Sequence, residues 1–354
     1  MSEPNVIETK NIRKLDGKIV YADGKEKVLK YGLKTIREEA YKGERDIVSV
    51  SLPYSLVSIG DRAFSECVNL KSIKIPEGVK IIGRGAFYRC IDLENINIPA
   101  SVTSIGAVAF SNAGLSSVDI PYGVTEIEPF TFSSCKKLES VTIPDSVISI
   151  RKAAFSLCES LRSIVIPGSV TSLGWDAFED CRSLEKIVIP ESLSEINGNP
   201  FTKCNATLEV SLQNKNFKVI DNNLYSIDGK ELISYLGKET EFTVPDGVTS
   251  IRCAFKGSRL AKITIPHGVT ELGYEAFYIY NYEAFYDCEE LISIKIPKSV
   301  TKIGGYSFYH CNKLKDVYYG GSKNDWKKIE IDERQNQKLC GTKAEMAKIH
   351  YNCK

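Results

Sequence analysis

Residues 72–90 read SIKIPEGVKIIGRGAFYRC, residues 95–110 read NINIPASVTSIGAVAF, and residues 140–158 read SVTIPDSVISIRKAAFSLC. All three are copies of one motif, L-x-x-I-x-I-P-x-x-V-x-x-I-G-x-x-A-F-x-x-C. From Tyr41 to Phe201 its aromatic residue returns every 22 or 23 residues, which chance does not produce. Such a period predicts a repeat solenoid, because one copy cannot bury its own apolar side chains and successive copies must stack.

The aromatic position of the motif can be followed along most of the chain. It falls at Tyr41, Phe64, Phe87, Phe110, Phe132, Phe155, Phe178, Phe201, Phe255, Phe277 and Phe308. The predicted fold is therefore a mainly β solenoid of about eleven coils of 23 residues, capped at both ends.

Each coil begins with a short strand. The sequence I-x-I, as in Ile73-Lys74-Ile75, alternates with period two, and the proline that follows it ends the strand because it has no N–H to donate. Stacking the coils places these strands side by side as a parallel sheet along one face. The glycine after the second isoleucine is replaced by residues such as Arg37 and Glu128, so we expect an ordinary backbone conformation there.

Four segments depart from the repeat. Residues 1–35 contain a β-hairpin signal about Asp23-Gly24 and are expected to cap the solenoid, whose first part is 36–212. Residues 213–244 form an insertion with a second hairpin turn at Asp228-Gly229, expected to project, to form wider coils or to bend the solenoid.

The second part of the solenoid, 245–319, contains a local duplication, GYEAFYIY followed by NYEAFYDC. We interpret it as an eight-residue insertion at 278–285, since the 31-residue step there exceeds the period by eight. Residues 320–354 form a C-terminal cap, in which Ser322 and Asp325 indicate a helix start and residues 347–351 a returning strand.

The repeated motif resembles the BspA-type leucine-rich repeat of bacterial and some protist surface proteins. The resemblance covers residues 36 to 319, and the tail is similar to the C-terminal ends of such proteins. It implies a leucine-rich-repeat solenoid without regular convex helices. It also implies a non-enzymatic adhesion or recognition protein, at the cell surface or secreted, that binds a protein or a glycan of a host or neighbouring cell.

Eight of the 11 cysteines lie three residues after an aromatic residue. These ladder cysteines are Cys67, Cys90, Cys135, Cys158, Cys181, Cys204, Cys288 and Cys311. No C-x-x-C pair occurs, so the spacing excludes a typical zinc site. Stacked neighbours lie within disulfide reach by distance, which leaves bridges open, but we interpret the ladder as small, buried, free thiols.

Composition and motifs argue against several classes of function. With 46 Lys+Arg against 45 Asp+Glu, the net charge of +1 lacks the basic surplus of a nucleic-acid-binding protein. No apolar run is long enough to span a membrane, and MSEPNVIETKNIRKLDG has no apolar core of a secretory signal. The three histidines occupy variable positions with no partner for a catalytic triad, so we expect no enzyme, cofactor or metal.

Two surfaces are candidates for ligand binding. One is the outward row of the strands, which is small and polar except for Val165 and Val188. The other is a run of tyrosines in the C-terminal third, since tyrosine is enriched in interfaces. We select from it Tyr278, Tyr280, Tyr282, Tyr286 and Tyr309.

The sequence thus predicts a monomeric binding protein. Because no secretory signal stands at the start and cysteines are abundant, an intracellular protein-interaction scaffold in the cytoplasm remains the alternative. Packing of the tyrosines within the insertion and the cap is likewise an alternative to a binding surface.

Overall fold

The structure, a computed structural model, describes residues 16–273, 284–340 and 346–353. It divides into two compact units, Met1–Glu195 (unit 1) and Ile196–Lys354 (unit 2). Each unit is built from stacked coils of short strands and turns, as the repeat predicts.

The strands are β1 Gly17–Tyr21, β2 Glu26–Leu29, β3 Thr35–Ile36, β4 Ile47–Ser51, β5 Ser58–Ile59, β6 Ser72–Lys74, β7 Ile81–Ile82, β8 Asn95–Asn97, β9 Ser104–Ile105, β10 Ser117–Asp119, β11 Glu126–Ile127, β12 Ser140–Thr142, β13 Ser149–Ile150, β14 Ser163–Ile164, β15 Ser172–Leu173, β16 Lys186–Ile189, β17 Glu195–Ile196, β18 Thr207–Val210, β19 Phe217–Ile220, β20 Asn223–Ser226, β21 Leu232–Ser234, β22 Glu241–Thr243, β23 Lys262–Thr264, β24 Glu271–Leu272, β25 Ser293–Ile296, β26 Lys302–Ile303, β27 Asp316–Tyr319, β28 Glu330–Ile331 and β29 Lys348–His350. Two four-residue helices lie in the C-terminal cap, α1 Lys323–Trp326 and α2 Gln337–Cys340.

In unit 1 the coils form parallel sheets on two faces. One face carries the strand orders β2-β1-β4-β6-β8 and β10-β12-β14-β16, and the other carries β3-β5-β7-β9 and β11-β13-β15. Parallel neighbours pair in the register of the repeat, for example Val118 with Val141 and Val141 with Ile164. The predicted N-terminal hairpin is confirmed, and its strand β1 pairs antiparallel with β4.

The aromatic side chains form a continuous stack inside unit 1. Successive rings from Tyr41 to Phe178 lie 5.3–5.7 Å apart between centroids and within about 11° of parallel. This spacing exceeds the ~4.8 Å between neighbouring strands only slightly, so each coil contributes one ring to a shared core.

A turn with two left-handed residues holds each ring in place. In the coil of Phe64, Arg62 and Glu66 have φ of 52° and 61°, two residues before and after the ring. The amides of residues 62, 64 and 66 donate to the carbonyls of residues 84, 86 and 88 in the next coil. These inter-coil hydrogen bonds offset the cost of placing residues other than glycine in the left-handed region.

The glycine after the second isoleucine serves close approach between coils. Gly60, Gly83, Gly106 and Gly174 do not have positive φ, as expected, whereas Gly273 does, with φ 67°. A Cβ on any of those four would lie 2.4–2.7 Å from backbone of the preceding coil. Glycine is therefore favoured at these four positions because a Cβ would clash with the backbone of the preceding coil.

The ladder cysteines hydrogen-bond between coils. The Sγ atom donates to the carbonyl of the preceding ring residue at 2.9–3.2 Å in Cys67, Cys90, Cys135, Cys158, Cys181, Cys288 and Cys311. All eight are buried free thiols. Burial raises the pKa of the Cys67 and Cys135 thiols to about 12.

Thiol labelling of the native protein should therefore miss the ladder. A labelling reagent cannot reach the buried sulfurs, so the ladder thiols should react only after denaturant is added, and the raised pKa of Cys67 and Cys135 further lowers their thiolate fraction. Peptide mapping by mass spectrometry checks this, with the half-buried Cys353 as the reactive internal reference. A Cys67–Cys90 or Cys158–Cys181 disulfide in freshly prepared, non-reduced protein would contradict the free-thiol ladder.

In unit 2 the structure corrects two positions of the repeat. The repeat predicted Phe277 as the core aromatic residue of one coil, but Phe277 lies outside the described residues. The ring that occupies this place in the stack is Phe285, which lies between Phe255 at 5.6 Å and Phe308 at 5.0 Å. Phe285 precedes Phe308 by the regular 23 residues. Ala284 and Phe285, which are both fully buried, therefore belong to this coil and not to the insertion, and residues 278–283 lie outside the described residues.

The insertion of residues 213–244 joins the stack. Strands β19, β20 and β21 form an antiparallel sheet with the predicted turn at Asp228-Gly229. The chain then supplies a ring that the repeat did not reveal, since Tyr235 packs 5.5 Å from Phe255 and its amide donates to the Ala254 carbonyl. One further coil thus lies between Phe201 and Phe255.

The C-terminal cap follows the predicted elements. Ser322 and Asp325 form a capping box at the start of α1, and β29 returns to pair in parallel with β27. The sheet of unit 2 has the order β22-β23-β25-β27-β29. No helix in the described ranges has the length and apolar character needed to cross a membrane.

Candidate ligand-binding surfaces

A group of aromatic side chains lies on the turns of unit 2. Tyr286 and Tyr309 each follow a stacked phenylalanine, and their ring centroids are 5.2 Å apart. Tyr309 also stacks on His310 at 3.8 Å and meets Tyr306 edge-on at 5.8 Å. We call Tyr286, Tyr306, Tyr309 and His310 the tyrosine patch. The left-handed residue after each tyrosine turns the chain back, so both tyrosines lie on the same side of their coils.

Asp287 fixes the polar edge of the tyrosine patch. Its carboxylate lies 2.6 Å from Lys203 Nζ and 2.8 Å from His310 Nδ1. Partial burial raises the pKa of Asp287, but the hydrogen bonds from Lys203 and His310 outweigh this, so the net pKa is lowered. The ionised carboxylate therefore holds His310 against Tyr309 before any ligand arrives.

Lys256 adds a cation to the same surface. Its Nζ lies 5.6 Å from the centroid of the Tyr286 ring, a distance suited to a cation–π contact. The patch thus combines large aromatic area with Lys203, Lys256 and His310. Such a mixture can contact apolar groups of a ligand and donate hydrogen bonds to its polar or negatively charged groups.

Three of the five selected tyrosines are not described by the structure. Tyr278, Tyr280 and Tyr282 belong to residues 274–283, outside the described ranges. Their role in ligand binding stays a prediction. Tyr306 and His310 were not selected from the sequence, although their positions beside Tyr309 in the same turn could have pointed to them.

The outward row of unit 1 is exposed. Val165 and Val188 are 78% and 43% exposed, while Ser140, Thr142 and Ser163 around them are polar and exposed. Val165 belongs to a strand face whose inward neighbours, Ile164 and Ile187, are buried. The structure places the two valines on the face where they were predicted, and their role as a ligand contact stays a prediction.

The outward face of unit 2 carries an aromatic pair that sequence reasoning missed. Tyr318 stacks on His350 at 4.7 Å, and His350 Nε2 lies 2.8 Å from Asp316 Oδ1. Tyr318 lines a shallow groove of about 260 Å³ with Lys262 and Lys295. Continuing the outward row beyond Val188 to the strand of Tyr318 would have found it.

The described residues offer no centre for metal chemistry. Within residues 16–273, 284–340 and 346–353, no group of three or more His, Cys, Asp or Glu side chains is arranged to hold a metal ion. His310 contacts Asp287 and the rings of Tyr309 and Tyr286, and His350 contacts Asp316 and the Tyr318 ring. The buried thiols donate to backbone carbonyls, which gives them a structural place in the stack.

The chain consists of stacked coils that each contribute short strands to parallel sheets and one ring to the core, and its outward side chains differ from coil to coil. These features define a leucine-rich-repeat solenoid. A family model described as the BspA type leucine rich repeat region, in six copies, matches residues 25–139, 125–233 and 229–329. The chain belongs to this BspA-type leucine-rich-repeat family. The family and the fold are those of leucine-rich-repeat binding proteins.

Solved structures of bacterial proteins are similar to this chain. A leucine rich cell surface protein from Faecalibacterium prausnitzii A2-165 is 26% identical, with a TM-score of 0.55 over 90% of this chain and 97% of that chain. A leucine-rich repeat protein from Bacteroides ovatus ATCC 8483 is 22% identical, with a TM-score of 0.51 over 94% of this chain and 90% of that chain, and supports the fold alone. A comparison with curated proteins finds no match.

Proposed function

We propose that this chain is a non-enzymatic adhesion protein that recognises a protein ligand at the cell surface. Membership of the BspA-type family and the likeness to a protein named as a leucine rich cell surface protein support this location and role. A solenoid by itself only supplies surface, so the site must carry the argument.

The observation that carries the proposal is the tyrosine patch. The core ring of each coil is supplied by Phe285 and Phe308, so the stack does not require an aromatic residue at the following position. Equivalent positions in unit 1 hold serine in four coils, as at Ser133 and Ser156, and Lys42, Tyr88 or Glu179 in the others. Tyr286 and Tyr309 are nevertheless large, half-buried and fixed by His310 and Asp287. Rigid aromatic side chains at a surface are typical of the residues that dominate protein interfaces.

Replacing both tyrosines should weaken binding strongly. The Tyr286→Ala/Tyr309→Ala variant removes two adjacent aromatic contacts, and loss of one interface hot spot typically lowers affinity by about 30-fold or more. The measurement is binding of purified protein to an array of extracellular matrix and cell-surface proteins and, in parallel, to a glycan array. We expect a ligand on the protein array whose binding the double variant loses.

Two further variants make the result specific. Tyr122→Ala removes a tyrosine that is 72% exposed in unit 1 and should leave binding unchanged. Tyr286→Phe/Tyr309→Phe keeps both rings and removes only the two hydroxyl groups. Retained binding in this variant would mean that the rings, and not the hydroxyl groups, make the contact. Binding only to glycans, or equal loss in the double alanine and Tyr122→Ala variants, would contradict protein recognition through the tyrosine patch.

A further inference from the structure

A groove of about 420 Å³ lies on the turns of unit 1, where sequence reasoning placed no site. We call it the Gly85 groove, and its walls include Lys42, Arg62, Arg84, Gly85, Tyr88 and Val108. We propose that the Gly85 groove binds acidic side chains of an extended segment of a protein ligand. The inference deepens the proposed binding function by naming the chemistry of a partner at a second surface.

The groove exists because one coil lacks a side chain. The position two residues before the ring holds Arg62 in one coil, Gly85 in the next and Val108 in the one after. All three have the same left-handed backbone, with φ of 52°, 59° and 63°. A Cβ on Gly85 would find its nearest neighbour, Arg62 Cγ, at 3.4 Å, an ordinary contact. The space at this position therefore admits a Cβ, at the same left-handed backbone strain that Arg62 and Val108 bear, and glycine leaves a gap between two neighbours that have a side chain.

The charges around the gap favour an anionic group. Lys42 Nζ and Arg62 Nη1 share the Glu39 carboxylate, at 2.7 Å and 3.1 Å. Across the described part of the chain, no carboxylate lies within ion-pair distance of the Arg84 guanidinium, which is exposed at the groove. The Asp61 carboxylate accepts a hydrogen bond from the backbone N–H of Arg84. The guanidinium N–H donors of Arg84 are therefore available to a ligand, whereas the charges of Lys42 and Arg62 are partly neutralised by Glu39.

This arrangement fits a carboxylate on a peptide better than a sulfated glycan. A guanidinium forms paired hydrogen bonds with one carboxylate, which matches a single available arginine. A polymer with several sulfates per repeat is best matched by a row of unpaired cations, whereas here Glu39 pairs with Lys42 and Glu66 also lines the groove, which leaves Arg84 to pair with one carboxylate at a time. Tyr88 and Val108 provide apolar contact for the methylene groups of a glutamate and for its neighbours along a peptide.

The test is calorimetric titration of the whole protein with the peptide hexaglutamate at low ionic strength, where exposed charges are least screened. We expect a dissociation constant of about 1 mM or tighter, and no binding of the neutral peptide hexaglutamine. Arg84→Gln should weaken hexaglutamate binding about tenfold or more, since charge-assisted hydrogen bonds are lost. Gly85→Val should weaken it as much, because it fills the gap with the residue that the next coil carries in the same conformation.

The matched control is Arg89→Gln. Arg89 belongs to the same coil and its removal changes the net charge equally, but it does not line the groove. Thermal melts should show that all three variants fold. Equal weakening by Arg84→Gln and Arg89→Gln would indicate unspecific attraction and overturn the site. The site would also be overturned if hexaglutamate did not bind, or if a heparin hexasaccharide bound instead and Gly85→Val abolished that binding. None of these outcomes bears on the tyrosine patch in unit 2, whose ligand is tested separately.

Discussion

Phe155→Ala is expected to lower the free energy of unfolding by about 3–5 kcal/mol. The Phe155 ring is fully buried and stacks between Phe132 at 5.5 Å and Phe178 at 5.6 Å. Removing it deletes contacts with both neighbouring coils and leaves a cavity that the flanking rings cannot close, because inter-coil hydrogen bonds hold their backbones. Tyr41→Ala should cost less, about 1–3 kcal/mol, since within the described residues the Tyr41 ring stacks on one core ring, Phe64, and otherwise meets the exposed Lys27 ammonium at 5.0 Å.

Urea denaturation followed by circular dichroism compares the two variants with the wild type. The exposed Tyr122→Ala variant is the control and should change the free energy of unfolding by less than about 0.5 kcal/mol. Equal destabilisation by Phe155→Ala and Tyr41→Ala would mean that rings at the end and in the middle of the stack have the same surroundings. That result would contradict stacking as the source of stability.

The coil architecture could be predicted from the sequence because the same physical requirement is repeated. Every coil needs a buried ring, a strand and a residue that ends the strand, so Phe87, Ile73 and Pro76 have counterparts at the same spacing. One ambiguous coil does not disturb an inference carried by many others. The hairpin turns at Asp23-Gly24 and Asp228-Gly229 were predictable for a different reason, since both glycines have positive φ, of 80° and 76°.

The two errors in the repeat have different causes. In the duplication, Phe277 and Phe285 both follow Glu-Ala, and only Phe285 has the ladder cysteine, Cys288, three residues later. That cysteine donates to the Phe255 carbonyl and so identifies the coil. Tyr235 escaped detection because its coil lacks the motif, and only its packing on Phe255 shows that it supplies a core ring.

The candidate binding surfaces were harder to predict because outward side chains are not constrained by the repeat. The sequence drew attention to Tyr286 and Tyr309 by composition, and the structure adds the contact of His310 with Asp287 that orders them. The Gly85 groove has no compositional signal, since it depends on a side chain that is missing between Arg62 and Val108. Only the stacking of consecutive coils brings these positions together.

Asn336 shows how the last coil of the core is closed. In earlier coils the amide of the ring residue donates to a backbone carbonyl of the next coil, as Phe285 does to Ser307. The Phe308 amide donates instead to Asn336 Oδ1, at 3.1 Å. Asn336 Nδ2 donates to the carbonyls of Gly304 at 2.8 Å and Asp332 at 2.6 Å. Its side chain thus replaces the backbone of a following coil.

Asn336→Ala should therefore lower the free energy of unfolding by about 3–5 kcal/mol, because it leaves several buried polar groups of the last coil unsatisfied at about 1–3 kcal/mol each. Asn336 is fully buried, so water cannot take over its hydrogen bonds without opening the cap. Asn312→Ala, at an exposed position of the same coil, should change stability by less than about 0.5 kcal/mol. Urea denaturation measures the loss, and hydrogen exchange at the Phe308 amide locates it. If that amide stays as protected in Asn336→Ala as in the wild type, another group closes the stack and Asn336 is not the cap.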